Sequence, residues 1–180
     1  KSTLFNLLTG ANEFSENMLF ATLDPKMRAI NLDYSVKIIL SDTVGFISDL
    51  PTELIAAFRA TLEEVLAADL ILHVRDISHD NTEIQAVEVE KVLGNLGVSV
   101  STPILEIWNK MDLVEPEKRK GLRNISERKS GVCSLSASTG EGISDLIAKV
   151  KSQVEPQKFS ETLLVPFEFG KQKAWLHENG

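Results

Sequence analysis

The chain is short of the usual means of holding a small protein together from outside its core. It has one cysteine, Cys133, among 180 residues, which excludes an internal disulfide. No apolar run approaches the roughly 18 residues of a membrane span, so stable membrane insertion is not expected. No basic, apolar and small-residue leader is visible, and the expected setting is a reducing cytoplasm, with an organelle matrix as the alternative. Internal repeats and low-complexity tracts are missing as well. Excess positive charge is also absent: 19 basic against 26 acidic residues leave a net charge of −7, which argues against a whole surface built to grip nucleic acid. The densest basic stretch, "EKRKGLRNISERK", is diluted by Glu117 and Glu127 and reads first as a solvated helix face, second as a contact surface.

At this length the chain can bury about 70% of its unfolded surface in a core of its own. Apolar runs alternate with longer amphipathic ones, the pattern of an α/β protein with a mostly parallel sheet. Strands are expected near 28–33, 36–41, 69–75, 103–108 and 132–135. Helices are expected near 2–9, 52–66, 81–95, 115–128 and 142–154. The first two strands, joined by Asp33 and Tyr34, should form an antiparallel hairpin at the sheet edge. Residues 155–162 are polar and contain a proline, so they read as a linker after a main domain over 1–154. Residues 163–180 read as a strand and helix that either pack on that domain or begin a further one.

Four short motifs carry the chemistry. Lys1-Ser2-Thr3 opens a helix, where a lysine ammonium meets β and γ phosphates and a hydroxyl meets Mg²⁺. "SDTVG", with Asp42 and Gly45, follows a strand, and its carboxylate can hold Mg²⁺ through water. "NKMD", with Asn109, Lys110 and Asp112, ends another strand, and its last carboxylate can accept the N1 and N2 hydrogens of guanine. Adenine offers no such pair of donors. "SLSAS" supplies Ser136 and Ala137, whose amides can meet the guanine O6. Singly, each is equally a turn or loop of small polar residues. Together, in this order, with three of them at strand ends where open α/β sheets take ligands, they predict a site for GTP or GDP with Mg²⁺.

Those motifs resemble the translation-factor-like GTPases of the P-loop class. "LFATLDPKMRAI", the run from Asp42 to Ser78 and "VPFEFGKQKAWLHENG" are similar to the HflX family of ribosome-associated GTPases. The Obg family is the nearest alternative, but it is expected to have a proline and glycine after its aspartate where this chain has Thr43-Val44-Gly45. The resemblance implies a three-layer P-loop fold with one antiparallel edge strand. It assigns Thr22 to the first switch, on Mg²⁺ and the γ-phosphate, and Asp42 and Gly45 to the second. Lys1, Thr22 and Gly45 are the residues it brings to the reacting phosphate. Ser2, Thr22 and Asp42 are its metal positions. It further implies a monomer acting on the large ribosomal subunit, RNA and protein, mainly through regions outside this chain, in splitting or rescuing stalled ribosomes.

Phe46 departs from the Ras pattern, which has a water-orienting glutamine after the switch glycine. A phenyl ring cannot hydrogen-bond the attacking water, so slow unstimulated turnover is expected, with a nucleotide-gated binding module as the competing reading. In such folds a glycine-rich loop and a central strand precede the lysine. The natural protein is therefore expected to extend upstream of Lys1.

Overall fold

The computed structural model describes residues 1–11, 26–32, 36–43, 64–155, 171 and 175. Helix α1 is Ser2–Thr9, followed by strands β1 (Lys26–Asn31), β2 (Lys37–Asp42) and β3 (Ile71–Asp76). Then come α2 (Thr82–Leu96), β4 (Ile104–Asn109), a 3₁₀ turn over Met111–Leu113, α3 (Pro116–Arg128), β5 (Val132–Ser134) and α4 (Ile143–Val154). The expected helix over 52–66 lies outside the described residues except for 64–66, which are helical. The strand and helix expected over 163–180, the linker from 156 onward, and the Asp33-Tyr34 turn lie outside them as well.

β1 and β2 pair antiparallel, Lys26 opposite Asp42 through Asn31 opposite Lys37. The antiparallel pairing is as expected, but among the described residues the pair is a two-stranded sheet of its own rather than the edge of the parallel one, and β1 begins two residues earlier than its apolar run. Lys26 and Met27 belong to the strand because ladder pairing with β2 extends that far, which polarity alone does not reveal. β3, β4 and β5 form a parallel sheet in that order. Among the described residues the two sheets are not hydrogen-bonded to each other.

Alternation along β4 divides its side chains between two faces, as strand geometry requires. Leu105 and Ile107 face a core shared with Leu4 of α1, Cys133 and Leu135, and Leu146 and Val150 of α4. The i, i+4 spacing of Leu146 and Val150 gives α4 one apolar stripe, which it turns to the sheet. Leu8, Leu32, Ile38, Leu72 and Val74 pack against the same core, so one apolar cluster spans both sheets. On the other face Trp108 packs with Ile77, Met111, Val114 and Val132, against Leu122 of α3. α2 covers the neighbouring part of that face with Thr82, Ala86 and Leu93. The result is three layers with β3, β4 and β5 in the middle.

Charged side chains on the α2 face pair with one another, though the buried Arg75 Nε has no partner among the described residues. Arg75, buried, binds Glu106 across the β3–β4 step, Glu83 of α2 at 2.7 Å and the Thr82 hydroxyl at 3.4 Å. The Trp108 indole donates to the same Glu106 at 2.7 Å. A buried guanidinium requires such partners, since an unpaired charge in a core is costly. His73 beside it is half-buried, and burial pushes its imidazole below the ordinary value. Trp108 and Cys133 are core residues, as their strand positions predicted.

Candidate functional site

Three loops and one helix start meet at the carboxyl ends of β2, β3, β4 and β5. Lys1 caps α1, and its Nζ lies 3.2 Å from Asp42 Oδ1, at the last residue of β2. Burial pulls the Lys1 ammonium below its ordinary value, while the Asp42 charge opposes that. Asp42 is itself buried, at 5% exposure, while the Lys1 side chain stays about a third exposed. Ser2 and Thr3 form the first turn of α1 beside it. Thr22, Gly45 and Phe46 lie outside the described residues.

The far end of the site is built by two loops that interlock. The chain leaves β4 at Asn109 and turns through Lys110, whose φ of 65° lies in the left-handed region that residues with a Cβ seldom adopt. This places Met111 inward, fully buried, and begins the 3₁₀ turn containing Asp112. The Arg119 guanidinium reaches from α3 to the backbone carbonyls of Asp112, at 2.7 Å, and Val114, at 2.8 Å, holding that turn in shape. The second loop, after β5, is folded on itself. The Ser136 amide donates to the Glu141 carbonyl at 2.9 Å, and Gly140 donates back to the Ser136 carbonyl at 2.9 Å. Ser136 has no exposure at all.

Asn109 joins the two loops, its Oδ1 accepting the Ala137 amide at 3.0 Å. The Ser136 and Ala137 amides are expected from the sequence to face a base, and Asn109 to belong to the base-selecting motif. The structure engages both amides within the protein and makes Asn109 the clamp between the loops. No sequence signal reveals that bond, because Asn109 and Ala137 are 28 positions apart. Asp76 and Arg119 also escaped the sequence reading. An aspartate ending a strand resembles any turn residue, and Arg119 resembled part of a solvated basic face.

Asp112 presents the most informative chemistry. Its Oδ2 accepts the Ser138 hydroxyl at 3.1 Å. Its Oδ1 is closed to solvent and has no hydrogen-bond donor among the described residues. Hydrogen bonding from the Ser136 hydroxyl, aided by that from Ser138, holds the carboxyl below the usual carboxylate range against the opposing effect of burial, so it is ionised at neutral pH. Lys110 Nζ turns away from this carboxylate and meets Asp76 Oδ2 at 2.5 Å.

An α/β sandwich with a lysine-headed helix, a strand-end aspartate and an asparagine-lysine-aspartate loop along one sheet edge defines the P-loop GTPase class. A family model described as the 50S ribosome-binding GTPase matches residues 1–110. The chain belongs to that family of GTPases and, within it, to the HflX GTPases. It is 42% identical over 98% of its length to the GTPase HflX of Magnetococcus marinus, and 36% identical over its whole length to that of Escherichia coli. The chain spans 40% and 44% of the length of those two relatives. Among solved structures, the complex of SsGBP with GDP is 29% identical, with a TM-score of 0.64 over 84% of this chain and 45% of that one. No helix among the described residues is long and apolar enough to cross a membrane.

Proposed function

We propose that this chain forms the nucleotide-handling part, over residues 1–154, of a protein that binds GTP with Mg²⁺ and hydrolyses it to GDP and phosphate. The Asp112 carboxylate carries this reading. The Ser136 and Ser138 hydroxyls hold it below the usual carboxylate range, so it is an ionised acceptor on the loop after β4, and guanine offers such an acceptor its N1 and N2 hydrogens as a pair. Adenine has none to supply.

The remaining roles follow from position. Lys1 offers its ammonium to phosphate oxygens, helped by the helix α1 N-terminus, and Thr3 follows on the same turn. Asn109 and Ala137 hold the base loops in register, and Ser136 tunes the Asp112 carboxylate. Thr22 and Gly45 are proposed as switch contacts to the γ-phosphate. The Ser2 hydroxyl and Asp42 carboxylate are hard oxygen donors of the kind Mg²⁺ takes, and Thr22 is proposed to join them. No cluster of three or more histidine, cysteine or acidic side chains exists among the described residues. That fits Mg²⁺, which is held by few protein groups and completes its shell with phosphate and water. When bound, the ion neutralises charge developing on the β- and γ-phosphate oxygens.

The partner proposed is the large ribosomal subunit, supported by the description of the matching family as ribosome-binding. Splitting or rescue of stalled ribosomes, a cytoplasmic location and a monomeric state belong to the same proposal. So do a linker over 155–162 and a small C-terminal element over 163–180. With Phe46 where Ras-like enzymes place glutamine, unstimulated turnover is slow, on the order of 10⁻⁴ s⁻¹ as for Ras without its activator. The same residue favours the second reading, a nucleotide-gated binding module with negligible turnover. Phosphate release from GTP by the full-length protein, with and without large ribosomal subunits, separates the two. A rise on adding subunits is expected, and an unchanged rate would leave only the binding module.

A further inference from the structure

Asp76, the last residue of β3, stands opposite Asn109 in the β3–β4 register. The end of one strand therefore meets the start of the base-reading loop. Its carboxylate uses its two oxygens differently. Oδ1 accepts the Ser78 amide at 3.1 Å and the Ser78 hydroxyl at 2.6 Å, which fixes the orientation of the group. Oδ2 is thereby presented to Lys110 Nζ at 2.5 Å. Burial works to raise the carboxyl, but the bonds from Lys110 and Ser78 outweigh it and keep it below the usual range.

Two further observations concern Lys110. Its left-handed backbone is a conformation that persists only where the surroundings hold it. Asp76 also lines, together with Lys1, the end of a cavity of about 260 Å³ that runs along β3 and α2. The Lys110 side chain thus runs from the Asp112 loop to the end of β3. A free lysine loses much rotamer entropy when a ligand immobilises it, and a lysine already anchored does not.

We infer that Asp76 is a positioning residue: it acts through Lys110, anchoring the ammonium so that the lysine is already in place when a guanine nucleotide enters. This rests on the guanine-nucleotide reading of the site. Asp76→Asn retains an amide oxygen toward Ser78 and replaces the charged acceptor facing Lys110 with an amide NH2, which cannot accept from the ammonium. In the full-length protein, titrated with fluorescent GDP, Asp76→Asn is expected to weaken binding about tenfold, equivalent to about 1.4 kcal/mol. The double variant with Lys110→Met is expected to bind within about twofold of Lys110→Met alone, since one residue acts through the other. Its preference for GDP over XDP is expected to be unchanged.

Multiplying effects in the double variant overturn the inference, as does Asp76→Asn binding within twofold of the parent. An altered GDP to XDP ratio would put Asp76 on the base itself and also overturn it. Loss of the folded circular dichroism signal in Asp76→Asn would assign a structural role instead. A parent protein that binds no guanine nucleotide overturns the underlying reading before the cycle begins, which distinguishes the two failures.

Discussion

Asp112, whose Oδ2 accepts the Ser138 hydroxyl, is the residue to which the proposed function gives the choice of base. Asp112→Asn replaces an acceptor with a donor facing the guanine N1 and N2 hydrogens. GDP affinity is expected to fall on the order of 10²-fold or more, and XDP, which has a carbonyl where guanine has its amino group, to gain. Competition titrations with the two nucleotides check this, and unchanged GDP preference would remove Asp112 from the base pocket. A second single-residue effect concerns pH. Burial, with the Arg75 charge adding to it and Glu106 and Glu90 opposing, holds His73 below its ordinary value. The unfolded chain then takes up its proton at a higher pH than the folded one. Stability is therefore full above about 6.5, the unfolded value, and is lost as pH falls toward the folded value. His73→Gln should flatten that part of a denaturation profile below about pH 6.5. A profile as steep as the parent's would show another group responsible.

At the scale of elements, the loop after β5 depends on a glycine. Gly142 caps α4 with φ of 78°, and a Cβ there would stand 2.4 Å from the Ser134 carbonyl oxygen. Gly142→Ala meets both a disfavoured backbone and a backbone collision that no side-chain rotation relieves. The expected loss is about 2–4 kcal/mol, read from the urea midpoint. Because Glu141 accepts the Ser136 amide one residue away, nucleotide affinity should fall in the same variant. Helix α4 was readable because it buries one stripe, Leu146 and Val150. The ends were less readable. Lys26 and Met27 joined β1 through pairing with Ser41 and Asp42, a long-range bond that their own chemistry does not announce.

At the scale of the molecule, one apolar cluster ties two sheets that share no hydrogen bonds among the described residues. Leu4 is the buried residue of α1 in that cluster. Leu4→Ala should cost about 2–5 kcal/mol, and because Lys1 heads the same helix, it should also weaken GDP binding. Equal GDP affinity in a destabilised variant would separate α1 packing from the site. Ligand linkage gives a global readout of the proposed function. At 100 times its dissociation constant GDP should add about 2.7 kcal/mol, raising the melting temperature by about 5 °C or more, while ADP leaves it unchanged. Equal shifts with both nucleotides would contradict guanine selection.

Residue order alone settled the α/β class, the antiparallel pair, the parallel strands and the positions of Lys1, Asp42, Asn109, Lys110 and Asp112 at one edge. These are legible because periodicity and strand-end turns are local properties, set within a few residues. Only the tertiary structure decided how the site residues act on one another. It engaged the Ala137 amide with Asn109, turned Lys110 toward Asp76, recruited Arg119 to brace the base loop and left one Asp112 oxygen without a donor. Each of these contacts joins residues on different elements, or on a loop and the helix after it. A directional hydrogen bond within about 3 Å forms only once packing has brought those elements to fixed positions.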